Sequence, residues 1–374
     1  MSNPVSPVAD QRYLAVDVLR GATVALMITV NMAISPEASF GVLLHSVWHG
    51  FTLADAVFPT FLFVVGNAMA LAFDRPADRR PGWGKIVRRS LLLIAVGWFV
   101  SNFPFGRFND AGAWAWTQLA NIRIPGVLQR IGLAYLLSAV VIRLAGARGA
   151  RTFAVLAVPL NWWLMQHFGD LTLEGSAALK LDLAVFGPTH LYQGEGQPYD
   201  PEGLLGTIPA TVNMLAGYLA MRAIRAAPVP AAAVGKLALA GVLLLAAGLA
   251  WHQGLPLNKK LWTSSFVLFT VGLDLAVLAL CVWLLDVRRL TFGSGFFGTF
   301  GRNPLALYVI SEVLMSLAWT FRVGEQSLFM AIYNTMFLGQ ITGKAGSLAY
   351  GFALVLLVWA IGRWMDRRGI YVRL

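Results

Sequence analysis

Apolar runs of about 17–22 residues, the length that crosses a bilayer as a helix, recur along this chain and alternate with short polar segments. Charged residues make up 13% of its 374 positions, about half of the roughly 25% found in soluble domains. The single cysteine, Cys281, lies within an apolar run. These features exclude a soluble enzyme, a disordered chain and a disulfide scaffold. They predict an all-α polytopic membrane protein.

We predict ten spans and two cytoplasmic termini. The spans are Leu14–Ile34, Ala54–Phe73, Ile86–Phe103, Ile124–Leu144, Thr152–Phe168, Leu204–Ile224, Leu237–Trp251, Trp262–Leu285, Pro304–Thr320 and Ser347–Trp364. An eleventh apolar segment, Ser327–Leu338, is short for a span, so we place it at the interface. We interpret residues 1–374 as one transmembrane domain, with a flexible tail at 1–12 and a long extracytoplasmic loop at 169–203.

Positive charge sets the predicted orientation. Most Lys and Arg residues lie in 74–89, 143–151, 222–236, 288–302 and the C-terminal tail, which share one side if both termini do. Cytoplasmic loops carry such an excess. The net charge of +11 is therefore explained by membrane topology, and we predict no nucleic-acid partner.

Polar residues inside or beside the spans are the candidate functional groups, because they are costly in lipid. Asp17 and Arg20 begin the first span at i and i+3, where they can form an ion pair at the helix end. Asn31 lies about 21 Å further along nearly the same helix face. It is either an interhelical hydrogen-bonding residue or part of a site near the outer surface.

His45 lies in the outer connection between Asn31 and Asp55, which opens the second span. A histidine there is either a solvated interface residue or a base that accepts a proton from an amine or hydroxyl near neutral pH. His45 and His49 have the i, i+4 spacing of a metal pair, but no third ligand is evident, so we predict no metal.

Arg123 and Arg130 are two helical turns apart at the start of the fourth span, which places Arg130 in the membrane. A buried guanidinium needs a carboxylate, here Asp274 or Glu312, or an anionic ligand. Residues 293–298 match GxGxxG, but no strand precedes them, so we reject a dinucleotide site.

Six ordered segments of the chain resemble one known family. They are Val16–Gly21 followed by Asn31, His45–Pro59, Arg123–Arg130, Asp200–Thr207, Leu257–Trp262 and Gly301–Pro304. In this order they resemble the catalytic region of heparan-α-glucosaminide N-acetyltransferase and its bacterial relatives. The chain looks like the compact bacterial form, without the lysosomal enzyme's additional lumenal region and further span.

The resemblance implies a multi-pass acyltransferase of the bacterial inner membrane that moves acetyl from cytosolic acetyl-CoA to an amino sugar across the bilayer. It also implies a homodimer. The family's active-site histidine falls on His45 and its functional asparagine on Asn31. His49 stands where the lysosomal enzyme has asparagine, so that contact is expected to differ.

Further roles are expected within these segments. We expect Asp55 to orient His45, and Asn31, with Trp48 as a weaker candidate, to donate to the oxyanion. Arg20, Arg302 and Asn303 are the candidate residues for binding the acetyl-CoA phosphates, and Asp200 and Glu202 suit a sugar ammonium. The full substrate-binding set is Asp17, Trp48, His49, Arg123, Gln129, Arg130, Asp200, Glu202, Asn258 and Lys259.

Two mechanisms and two other functions stay open. His45 acts as a general base in direct transfer, which we favour slightly, or carries the acetyl group itself. A sugar permease would also have ten spans, a buried arginine and a polar outer mouth. O-acylation of an envelope glycan would use the same chemistry on a hydroxyl.

Overall fold

The computed structural model describes residues 13–109, 112–338, 341 and 343–372, so the predicted flexible tail at 1–12 lies outside the described residues. The described chain forms twelve α-helices: α1 Leu14–Asn31, α2 Leu53–Phe73, α3 Trp83–Asn102, α4 Val127–Phe168, α5 Ala177–Phe186, α6 Thr207–Ala226, α7 Pro230–His252, α8 Ser264–Cys281, α9 Ser294–Arg302, α10 Pro304–Thr320, α11 Leu328–Ile332 and α12 Lys344–Arg367. Two antiparallel hairpins pair β1, Gly106–Phe108, with β2, Trp114–Trp116, and β3, Arg322–Val323, with β4, Gln326–Ser327.

Each predicted apolar run coincides with helix, and the mostly helical fold class is confirmed. Six helices in the described ranges are long and apolar enough to cross a membrane: α1, α2, α4, α7, α12 and α8 with its π-helical continuation Val282–Val287. The helix α10 and the segment Leu328–Leu338 are shorter apolar helices. The count of ten spans and the orientation of the termini stay predictions.

The 42-residue helix α4 is a hairpin of two arms, which correspond to the fourth and fifth predicted runs. Gly146 adopts φ +57° and ψ −146°, a conformation outside the helical region that glycine reaches without a Cβ clash. Arg130 in the first arm bonds the Gly203 carbonyl, and the Phe168 carbonyl at the end of the second arm accepts from Lys180. A straight helix would separate these ends by roughly 60 Å, so the chain turns back at Gly146.

Close helix packing forms the centre of the bundle. A Cβ atom at Gly66 of α2 would lie 1.8 Å from the carbonyl oxygen of Met214 in α6. A Cβ atom at Gly217 of α6 would lie 1.8 Å from the carbonyl oxygen of Phe63 in α2. These two glycines therefore allow α2 and α6 to approach backbone to backbone, as small residues do between membrane helices.

The bundle has two chemically different ends. Asn31 at the end of α1 and Asp55 at the start of α2 share one end with His45, which we call the His45 end. At the opposite end of α2, Asp74 pairs with Arg222 and Arg225. The start of α1 shares that end, which we call the basic end.

The segment 169–203 folds over the His45 end and carries α5. The indole of Trp48 donates to the Leu171 carbonyl at 2.8 Å, and its ring packs against Tyr199 with centroids 5.5 Å apart. The loop is therefore a structured cover that positions residues 192–202 beside the ends of α1 and α2.

Candidate active site

The imidazole of His45 is held by a buried carboxylate. His45 Nδ1 lies 2.9 Å from Asp55 Oδ1, and the Asp55 side chain is 1% exposed. Asp55 is held in turn, because its Oδ2 accepts from the backbone N–H and hydroxyl of both Ser46 and Thr52 at 2.8 to 3.2 Å. A charged acceptor at Nδ1 makes that nitrogen the protonated one and leaves the Nε2 lone pair to act as a base.

His45 borders two adjoining cavities. Cavity A, of about 370 Å³, also has Asn31, Asp55, Glu202 and Lys259 in its wall. Cavity B, of about 550 Å³, shares Asn31, His45 and Glu202 and extends towards Trp319. The His45 side chain is 44% exposed. A ligand in either cavity can therefore reach the imidazole.

Asn31 is engaged by a second carboxylate. Its Nδ2 donates to Glu312 Oε1 at 2.6 Å across α1 and α10, and both residues line cavity B. An amide nitrogen has two hydrogens, so one donor remains for a ligand. This bond fixes the orientation of the Asn31 amide.

Lys259 faces the imidazole. Its Nζ lies 3.2 Å from both ring nitrogens of His45. Burial, opposed by the negative charges of Glu202 and Asp55, lowers the pKa of this amine below its ordinary value.

Arg123 binds the two acidic residues predicted for a sugar ammonium. Its Nε and Nη2 each bond Asp200 at 2.8 Å, and Nη2 bonds Glu202 at 2.7 Å. Burial acts against the Arg123 charge, but Asp200 and Glu202 raise the pKa of this guanidinium. Of the two carboxylates, Asp200 is buried outside the walls of cavities A and B, whereas Glu202 lies in both walls. Binding of a sugar ammonium by Asp200 stays a prediction.

Glu202 is the anionic group that faces both cavities. Burial acts to raise its pKa, but the charges of Arg123, Arg130 and Lys259 hold that pKa below its ordinary value. Glu202 is therefore a carboxylate available to a cationic ligand.

Neither Asp274 nor Glu312 pairs with Arg130, so the ion pair considered from the sequence is wrong. Arg130 Nη2 bonds the Gly203 carbonyl at 2.8 Å, and the guanidinium lies 5.0 Å from the Trp262 ring centroid. Asp274 instead accepts from Thr60 at 2.6 Å. A carbonyl and an aromatic face thus replace the expected carboxylate.

Three residues expected to bind substrate have structural contacts outside the walls of cavities A and B. The Trp48 N–H donates to the Leu171 carbonyl, so the structure does not aim it at either cavity. Asn258 is fully buried, donates to His49 Nδ1 at 3.2 Å and accepts from Leu261 N. Burial and then the charge of His252 lower the pKa of His49. Asn258 and His49 therefore order the turn that carries Lys259.

Gln129 lies in the wall of cavity B and donates to the Ile124 carbonyl at 3.1 Å. Its Oε1 has no partner among the described residues. This oxygen is the part of Gln129 that remains to bind a ligand.

The residues predicted to bind acetyl-CoA or substrate at the basic end are engaged within the protein. Asp17 and Arg20 form the expected ion pair. Arg302 Nε lies 2.8 Å from both carboxylate oxygens of Asp366. The fully buried Asn303 donates to the Ile370 carbonyl at 2.9 Å. Arg302 and Asn303 therefore hold the C-terminal segment, and their binding of acetyl-CoA stays a prediction.

Sequence reasoning missed several residues in the cavity walls. Tyr192, Glu195, Lys260 and Tyr308 line cavity A. Glu312 carried a signal, as a carboxylate inside an apolar run, but was assigned to Arg130. Packing between α1 and α10 instead brings Glu312 to Asn31, and both residues line cavity B with His45.

The walls of cavity A extend from His45 to Met27, Phe61 and Ile131. Along α2, Phe61 lies roughly 18 Å from the end at Phe73. These three side chains make the inner part of the cavity wall apolar. Within the described ranges, no three His, Cys, Asp or Glu side chains form a candidate metal cluster.

The fold and this site define a polytopic helical protein with an acid–base centre at one end of its bundle. Residues 12–191 match a family model described as "Heparan-alpha-glucosaminide N-acetyltransferase, catalytic". Heparan-alpha-glucosaminide N-acetyltransferase of Mus musculus is 28% identical over 362 residues, 81% of this chain and 54% of the relative. The Homo sapiens protein is also 28% identical, over 361 residues, 81% of this chain and 53% of the relative.

These matches confirm the resemblance of the chain to heparan-alpha-glucosaminide N-acetyltransferases. The chain spans about half the length of the curated relatives it matches.

Proposed function

We infer that this protein is a transmembrane acetyltransferase, which takes acetyl from cytoplasmic acetyl-CoA and places it on a glucosamine-type amino sugar on the extracytoplasmic side. The observation that carries the proposal is the His45–Asp55 pair, with Nδ1 2.9 Å from a buried carboxylate, in a cavity wall shared with Asn31. The match to the acetyltransferase family model and to its relatives supports acyl transfer as the chemistry.

In the proposed reaction, His45 Nε2 takes a proton from the sugar amine as nitrogen attacks the thioester carbonyl. Asp55 stabilises the imidazolium that forms. The remaining Asn31 N–H donates to the developing oxyanion. Glu202 suits the sugar before its ammonium loses a proton, because it is a carboxylate in the same wall. Direct transfer needs no covalent intermediate, and we favour it over acetylation of His45.

We propose that the protein lies in the bacterial inner membrane, with the His45 end on the extracytoplasmic side. The proposed assembly is a homodimer. The basic end would then face cytoplasmic acetyl-CoA, whose phosphates suit arginine. The thioester would enter cavity A when helices part below Phe61. Acetyl-CoA and the sugar are the two partners of this proposal.

The test is acetyl transfer by purified protein in proteoliposomes. His45→Ala is expected to abolish transfer to glucosamine while acetyl-CoA affinity stays within a few-fold, because the base is lost and the donor's contacts remain. Near-normal turnover by this variant would remove His45 from the mechanism. Transfer to glucose at the same rate as to glucosamine would indicate an O-acyltransferase, and sugar counterflow without any transfer would indicate a permease.

A further inference from the structure

The side chain of Lys259 places a primary amine where the proposed reaction needs one. Its Nζ lies 3.2 Å from each ring nitrogen of His45 and borders cavity A together with Asp55 and Glu202. An acceptor amine that gives its proton to His45 Nε2 must come equally close to that nitrogen, and a small shift of the flexible Lys259 side chain brings Nζ from this position to the Nε2 lone pair. Lys259 is therefore an internal counterpart of the sugar amine.

The neighbouring lysine shows how an ordinary cavity lysine is held. Lys260 also borders cavity A, but its Nζ forms an ion pair with Glu195 and donates to the Val47 carbonyl at 2.8 Å. These partners hold its amine at Glu195 and Val47 rather than at the imidazole. The partner of Lys259 is the imidazole itself. Both amines are reachable from cavity A, so we expect the two adjacent lysines to differ in the reactivity of the amine.

We propose that Lys259 is a self-acetylation site, modified on Nζ by the protein's own acetyl donor when no acceptor sugar is bound. This inference rests on the proposed function, which supplies acetyl-CoA. The Nζ–carbon bond forms and the carbon–sulfur bond of the thioester breaks. The proton leaves Nζ for His45 Nε2 and passes to the CoA sulfur, so that acetyl-lysine and CoA thiol are the products.

Two properties of the site favour the reaction. Reacting atoms held about 3–3.5 Å apart in the right orientation react far faster than the same groups in solution, and Nζ is already beside the base. Burial lowers the pKa of the Lys259 amine, so a larger fraction is neutral and nucleophilic than for an exposed lysine.

Self-acetylation would act as a switch. An acetylated Lys259 fills the amine position with a neutral amide and leaves Glu202 and Asp55 without its positive charge. Acceptor binding would compete with the modification, since both amines require the same place. The enzyme would thus become inactive where donor is abundant and acceptor absent.

The experiment incubates the purified protein in nanodiscs with deuterated acetyl-CoA and no sugar, and follows each lysine by peptide mass spectrometry. Lys259 is expected to be acetylated at least about tenfold faster than Lys260, the matched internal control, because only its amine faces the base. His45→Ala should reduce the Lys259 rate to that of Lys260. Added glucosamine should slow it.

The outcomes separate this proposal from the function on which it rests. If the same preparation acetylates glucosamine but modifies Lys259 no faster than Lys260, self-acetylation is refuted and the acetyltransferase stands. Equal modification of Lys259 in wild type and His45→Ala refutes it as well, because the acetylation is then uncatalysed. If neither glucosamine nor Lys259 is acetylated, the proposed function fails, and this inference fails with it.

Discussion

Replacement of Asp55 by asparagine should inactivate the protein by switching the His45 imidazole to its other tautomer. Four donors from Ser46 and Thr52 converge on Asp55 Oδ2. The amide oxygen of the introduced asparagine must face these donors, so its NH2 group faces His45 Nδ1. That ring nitrogen then has to accept, which moves the ring proton to Nε2 and removes the base.

The expected loss is the contribution of the general base, about 10²- to 10⁴-fold in transfer rate, which corresponds to about 2.7–5.4 kcal/mol at 1.36 kcal/mol per tenfold. The assay is acetyl transfer to glucosamine, with thermal unfolding measured on the same sample. Thr52→Val is the control. It removes the hydroxyl that donates to Leu44 and Asp55, which costs about 1 kcal/mol of stability but leaves the imidazole held. A folded Asp55→Asn protein with normal turnover would refute the reasoning.

Two other predictions concern stability. Burial raises the pKa of Asp182 to about 6, so between pH 4 and 6 the folded chain holds a proton that the unfolded chain has lost. The free energy of unfolding should fall by up to about 3 kcal/mol as the pH rises through this window. The variant Asp182→Asn should flatten the dependence of the unfolding temperature on pH. An unchanged pH dependence in this variant would contradict the assignment. Arg302→Gln should lower the unfolding temperature by breaking the bond to Asp366, with CoA affinity in a titration within threefold of wild type; a tenfold loss of affinity would restore Arg302 to the donor site.

The helical architecture is predictable because bilayer spans require long apolar runs. Even the two arms of α4 were visible as the runs Ile124–Leu144 and Thr152–Phe168, which a short segment with Arg148 and Arg151 separates. The π-helical segments Val282–Val287 and Tyr333–Leu338 were not, since an apolar run does not distinguish a π-helix from an α-helix. The short helix α9 was missed because nine residues cannot span a membrane.

The candidate site was predictable where groups lie close in sequence. His45 and Asp55 are ten positions apart on one connection, and the structure places them in contact. Long-range partners were not predictable. Arg130 finds a carbonyl, which any residue type provides, and Arg123 meets Asp200 across 77 positions. Residue types alone cannot separate these structural charges from Glu202, which faces the cavity.

The most direct measurement is transfer between compartments. Proteoliposomes carry acetyl-CoA on one side of the bilayer and membrane-impermeant glucosamine conjugates on the other. Wild-type protein should form N-acetylated conjugate on the sugar side while CoA thiol appears on the donor side, and His45→Ala should form none. Product formed only when donor and acceptor share a compartment, or formed equally by His45→Ala, would contradict a site at which an imidazole joins two substrates from opposite sides of the membrane.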